Sequence, residues 1–127
     1  MAYRDLNLDL TDEHIALKES VHKFSIEVLR PASIELDKLS PEEVIAKDSL
    51  YWKCMKQMYK NKYHTALISD AYGGMGLDPL SVHIFFEELA YGSAGFTVSL
   101  GVSIFAAFYA CMVPNDHLVD KFIIPFV

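Results

Sequence analysis

The chain is 127 residues long, 52% of them hydrophobic, with a formal net charge of −6. One globular domain that buries roughly two thirds of its unfolded surface fits this length. The acidic balance and the lack of any Lys/Arg block exclude nucleic acid and anionic membrane surfaces as partners, since both need a concentrated basic patch. The lysines between Lys53 and Lys62 recur at helical spacing and read as a solvated helix face. Cys54 and Cys111 lie far apart and form no CxxC pair, which speaks against a disulfide framework or a zinc site and for a reducing compartment. Residues 1–6 lack the basic-then-apolar pattern of a secretory signal, so export is not expected.

In chain order, Thr11-Asp12-Glu13 predicts a helix start, with a cap hydroxyl and acids in the first turn where the helix end carries partial positive charge. Leu17, Val21, Phe24 and Val28 then fall on one face. Pro31 is expected to kink or punctuate this helix, because its ring removes a donor and clashes with the preceding turn; helix resumes through Ile34 and Leu36. Ser40-Pro41-Glu42-Glu43 is the clearest helix start, combining a cap hydroxyl, proline at the first helical position and a glutamate that closes a capping box. Asp48 or Ser49 is placed to cap the next helix, in which Tyr51, Met55 and Met58 share a face, with Asn61 as its expected left-handed terminator. Residues 63–68 are short, apolar and partly β-branched, and periodicity leaves a strand and a buried connector both open. After the glycine run Gly73-Gly74-Met75-Gly76, Asp78 caps and Pro79 starts a helix whose Val82, Phe85, Phe86, Leu89 and Ala90 fit the helical template, with Gly92 expected to end it. An uncharged helix follows from about Phe96 to Met112, broken by Pro114. A last helix begins near Asn115 and runs into Lys121-Phe122-Ile123-Ile124-Pro125-Phe126-Val127.

These elements predict a single all-α domain over residues 1–127, an orthogonal or up-down bundle of about five to six helices. No residue between Leu89 and Asn115 is charged, which is long enough for a bilayer span. The stretch nevertheless holds Gly92, Ser93, Gly95, Thr97, Ser99, Gly101 and Ser103, and its flanks, Glu87, Glu88 and Asp116, are acidic with no adjacent Lys/Arg. A helix buried on most sides explains the pattern, and no membrane span is expected. The chain closes on an apolar pentad with nothing after it to cover it, as expected of the front part of a longer protein.

Tested against chemistry, most motifs fall away. Gly74-Met75-Gly76 supplies half of a dinucleotide fingerprint, but Pro79 stands at the third glycine position and no βαβ unit surrounds it; the glycines read as a tight, packed turn. Glu19-Ser20-Val21-His22 has the Glu-x-x-His spacing of di-iron bundles, which requires a second such pair on another helix, and none exists. His83 and Glu87 read as an ordinary pair one turn apart. Glu87-Glu88 is no carboxylate dyad, since helix neighbours point about 100° apart. No catalytic triad and no metal site is expected.

Against this background the chain resembles the amino-terminal helical domain of the acyl-CoA dehydrogenase family. The similarity is carried by Leu10-Thr11-Asp12-Glu13-His14, Leu29-Arg30-Pro31-Ala32 with Asp37 later, Asp70-Ala71-Tyr72-Gly73-Gly74-Met75-Gly76-Leu77, Glu87-Glu88-Leu89-Ala90, Ser99-Leu100-Gly101-Val102 and Asp120-Lys121-Phe122-Ile123-Ile124-Pro125. Two departures are Asp70, where glutamate is usual, and residues 39–49, which look longer and more helical than the usual connector.

The resemblance implies a flavoenzyme that dehydrogenates the α and β carbons of an acyl-CoA, with FAD as hydride acceptor and a carboxylate as base. Flavin and base would sit on middle β and carboxy-terminal helical domains beyond Val127, so no catalytic residue is expected in this chain. The chain alone would be inactive and would not hold FAD tightly. It also implies that the uncharged helix walls the acyl pocket, with Thr97, Val98, Gly101 and Phe105 lining its far end, or simply packing the core. Electron-transfer flavoprotein would be the partner, a homo-oligomer the assembly, and the cytoplasm or mitochondrial matrix the location. The alternative is a stand-alone helical interaction module that kept the fold without catalysis. In an isolated piece, exposed apolar surface is expected to drive association.

Overall fold

The computed structural model describes residues 9–113 and 115–127; the expectations resting on residues 1–6 and on Pro114 lie outside them. Among the described residues there is no strand, and six helical rods form an all-α domain. The first rod, 12–36, joins α1 (Asp12–Phe24), a π-helical stretch (Ser25–Leu29) and α2 (Arg30–Leu36). Then come α3 (Pro41–Val44), α4 (Leu50–Lys60), α5 (Pro79–Gly92) and α6 (Ala94–Met112). The last rod, 116–126, joins α7 (Asp116–Leu118), a second π-helical stretch (Val119–Ile123) and α8 (Ile124–Phe126).

Both prolines inside the long rods are accommodated in the same way. A proline cannot bond the carbonyl four residues back and crowds it, and just ahead of each the helix widens to π geometry. The Arg30 amide reaches the Ser25 carbonyl and the Ile124 amide reaches the Val119 carbonyl. The rod therefore runs through Pro31 to Leu36 instead of being punctuated there. The wide turn also moves the buried face: Val21, Ser25, Leu29 and Ala32 are buried, whereas Val28 packs only at the margin.

Capping positions obey local chemistry. Thr11 Oγ1 accepts the His14 amide while His14 Nδ1 accepts the Thr11 amide, a capping box with histidine as the third residue. His14 Nε2 lies 3.5 Å from Asp78 Oδ2, and Asp78 caps α5 by accepting the Leu80 and Ser81 amides. The starts of α1 and α5 are thereby pinned together. Bonds from the Ser81 hydroxyl and amide hold the Asp78 carboxyl down at about 2. The Ser40 capping box forms with Glu43 as expected, but α3 is a single turn, and Asp48 turns the chain at φ +65°. Ser49 occupies the cap position of α4 with its hydroxyl donating to the Val44 carbonyl instead of accepting an amide.

Three expectations need correction. The left-handed residue after α4 is Lys62 at φ +60°, while Asn61 stays at φ −79°. α5 does end at Gly92, but α6 starts two residues earlier than Phe96, because Ser93 at φ −163° swings the chain straight into the next helix. Gly92 is also a contact point, because a Cβ there would lie 2.7 Å from both Cβ and the carbonyl oxygen of Ser25. In α5 the buried arc is Ser81, Ile84, Phe85, Glu88, Leu89 and Gly92, so Val82 and Ala90 fall outside it.

α5 is the hub, packing on α1, the first π stretch, α2 and α6. Around it the main core gathers Val21, Leu29, Met58, Phe85, Leu89, Leu100 and Ile104, all essentially inaccessible. A second cluster of Ile68, Ala107 and Ile123, flanked by Tyr72, Phe126 and Val127, ties the last rod to α6 and the glycine loop.

Candidate functional site

α6 carries the uncharged stretch. Phe96, Thr97, Leu100, Gly101, Ile104 and Ala107 turn inward, while Val98 and Val102 are each 66% exposed. By length and a mean hydropathy of 1.7 it could cross a membrane; Leu100 and Ile104 are fully buried against the domain core, but only 28% of its apolar stretch is buried, so it is not the helix buried on most sides that the sequence led us to expect. The Ser93 hydroxyl accepts the Phe96 amide and begins the helix. Thr97 Oγ1 donates back to the Ser93 carbonyl at 2.8 Å, so its hydroxyl proton is spent within the helix.

Thr97, Val98, Gly101 and Phe105 line one shallow groove of about 210 Å³, joined by Val102 and by Phe86 from α5. Its surface is almost wholly apolar. The Phe86 and Phe105 rings stack with centroids 6.0 Å apart and planes 11° from parallel. Gly101 forms the floor: a Cβ there would stand 3.7 Å from both rings, ordinary contact distance. Sequence reasoning missed Phe86 as a lining residue, since the periodic template places it with the core. The signal that could have found it is its position on the edge of the α5 stripe, next to fully buried Phe85.

The glycine loop is built differently. Gly73 and Gly76 take positive φ, which glycine adopts without cost. At Gly74 a Cβ would fall 2.1 Å from the Ile68 carbonyl oxygen. Every amide from Gly73 to Leu77 is spent internally, on the carbonyls of Asp70, Ser69, Thr65, Ile68 and Ala66 in turn. Residues 63–68 are accordingly a buried connector of tight turns onto which the loop is zipped. A phosphate cradle needs free amides at a helix start, and this loop offers none.

Below the loop, His64 is buried, donating from Nε2 to the Phe126 carbonyl at 3.0 Å and stacking on Tyr59. Its Nδ1 has no partner among the described residues. Burial holds the ring below its ordinary pKa, reinforced by Lys62 and opposed by the Phe126 carbonyl. His64 thus latches the last rod to the loop.

A larger cavity of about 590 Å³ lies between α1 and α5, where Glu19, His22, Glu87, Glu88 and Tyr91 stand among its lining residues. Here Glu88, with its side chain 4% exposed, receives a 2.6 Å bond from His22 Nδ1 and lies 4.0 Å from Lys18 Nζ. A buried carboxylate demands such a partner, and its place within the apolar arc of α5 was the available hint. His22 therefore serves Glu88 and not a di-iron pair with Glu19. Among the described residues no three His, Cys, Asp or Glu side chains gather to hold a metal.

Residues 11–116 match the family model described as "Acyl-CoA dehydrogenase, N-terminal domain". The chain is 27% identical over 99 residues to a probable medium-chain specific acyl-CoA dehydrogenase 2, mitochondrial, of Caenorhabditis briggsae, covering 78% of this chain and 22% of that protein. It is 31% identical over 98 residues to isovaleryl-CoA dehydrogenase, mitochondrial, of Arabidopsis thaliana, covering 77% and 22%. The chain thus spans about a fifth of the length of these curated relatives. No solved structure matches it at a significant level.

Proposed function

The chain belongs to the acyl-CoA dehydrogenase family as an amino-terminal domain, and from that premise we propose that α6 forms one wall of the acyl pocket of a flavin-dependent acyl-CoA dehydrogenase. The observation that carries this reading is the neutral apolar groove lined by Thr97, Val98, Gly101 and Phe105. Apolar pockets with few polar groups are where an acyl chain gains free energy by leaving water. A groove this open is half of a pocket, so the reading assigns the opposite wall, the catalytic base and the flavin to a longer polypeptide. The glycine loop does not fit a flavin pyrophosphate, because every amide from Gly73 to Leu77 is spent within the chain. The chain alone is accordingly inactive under this reading.

Electron-transfer flavoprotein as acceptor, a homo-oligomeric assembly and a mitochondrial or cytoplasmic location complete the proposal. Purified full-length protein is expected to show flavin absorbance and acyl-CoA-dependent reduction of a dye. Absence of both sinks the proposal.

A second reading has its own support. Val98, Val102, Phe105, Tyr109 and Met112 are all exposed along α6 at alternating spacings of four and three, the seam by which one helix packs on another. A stand-alone interaction module would use it. A stop codon directly after Val127 in the natural gene favours the module, and continuing coding sequence favours the enzyme.

A further inference from the structure

We propose that the outer face of α4 docks an acidic helix of another protein, with the Trp52 ring as its apolar anchor. This goes beyond the acyl-wall reading and is independent of it. Residues 49–69 contain Lys53, Lys56, Lys60 and Lys62 and no Asp or Glu. The stretch thus carries +4, while the rest of the chain, with seven Lys/Arg against all 17 acids, carries −10. All four lysines are exposed, and none is paired with a carboxylate among the described residues. Cys54, Met55 and Met58 take the buried side of α4. That leaves Trp52, Lys56 and Lys60 in one outward row at steps of four residues, with Lys53 beside it.

Trp52 separates this face from an ordinary solvated run of lysines. Its ring is 41% exposed and yet held in place. Nε1 donates to the Ile45 carbonyl at 3.1 Å, which brings Ile45, itself 64% exposed, alongside. The ring also packs edge-to-face with Tyr51, which stacks in turn on buried Phe96. A large side chain already fixed in one position loses little rotamer freedom on binding. A rigid tryptophan ringed by charge is where the energy of an interface concentrates.

The distribution of charge selects the occupant. Salt screens exposed charges beyond about 10 Å, so a short helix laid along α4, about 16 Å long, meets the four lysines and little of the acidity elsewhere. Nucleic acid or an anionic bilayer is wide enough to meet that acidity as well, and is repelled by it. A second copy of the chain sets −6 against −6, and the acids of its α1 are interspersed with Lys18 and Lys23. The complement of the outward row is a helix carrying one apolar residue and two glutamates at the same four-residue spacing.

The test is fluorescence anisotropy of a labelled helical peptide containing Leu-x-x-x-Glu-x-x-x-Glu, titrated with the full-length protein at low and at physiological salt. Saturable binding is expected, weaker at the higher salt. Lys56→Glu and Trp52→Ala should each weaken it by about tenfold or more, as should replacing both peptide glutamates by glutamine. Should Trp52→Ala fail to fold, Lys56→Glu, a change at an exposed position, still decides the matter. Absence of saturable binding overturns the proposal, and so does binding that these changes leave unmoved. It is equally overturned if Lys56→Glu abolishes tighter binding to phosphatidylserine vesicles or to a DNA duplex, or disperses self-association seen by light scattering.

Discussion

The glycine loop and helix α6 both place a glycine where a neighbour comes close, and the two glycines do opposite things. At Gly74 the space of the missing side chain is already taken by the Ile68 carbonyl, 2.1 Å from where a Cβ would stand. At Gly101 it is open, bounded by two rings at 3.7 Å. One glycine permits a fold contact, and the other leaves a groove. The loop that most readily invites a phosphate-binding role therefore has no free amide to present, whereas the plain apolar helix beside it leaves an open groove.

The sharpest way to break this contrast is to add the missing carbon at each site. Gly74→Ala should cost about 3 kcal/mol or more, because backbone is in the way and must shift; a urea midpoint close to wild type would contradict the packed-loop account. Gly92 tests whether location on a helix or occupancy of the space decides. It lies in α5, yet Ser25 fills its space at 2.7 Å, so Gly92→Ala should lose about 2 kcal/mol despite alanine's better helix propensity.

The loop side of the comparison is also sensitive to acid. With its folded pKa held down, His64 gains a proton less readily than it does in the unfolded chain. Stability should therefore fall as pH drops below the ordinary histidine range, about 6.5, toward the lower folded value. Melting temperatures across that range for wild type and His64→Phe should diverge at neutral pH and converge on acidification; parallel curves would remove the latch. The smallest effect belongs to Gly101→Ala, which should be neutral or stabilise by about 0.5 kcal/mol, since the carbon fits and mid-helix glycine is entropically costly. A marked loss there would mean that the groove is closed in solution.

What could be read from the chain in advance was what is decided locally. Thr11, Ser40 and Asp78 cap helices because a side-chain oxygen one turn from bare amides needs no tertiary help. The helical spacing of Thr97, Gly101 and Phe105 likewise sufficed to put them on one face. The π stretches were not legible, because the wide turn depends on how each rod packs as well as on the proline ahead. Nor could Gly74, Gly92 and Gly101 be told apart, since what fills their space comes from residues distant in sequence. The Lys62 turn escaped because Asn61 beside it is the better left-handed former. Phe86 joined the groove only through the sharp corner at Ser93, which sets α5 against α6.

The central claim, that α6 and not the glycine loop meets the acyl chain, is tested most directly by photolabelling full-length protein with an acyl-CoA carrying a terminal diazirine and mapping the adducts by mass spectrometry. Adducts on Val98, Phe105 or Phe86, suppressed by excess unlabelled acyl-CoA, are the predicted result. Suppressible adducts on residues 73–77, with α6 unmodified, would contradict it.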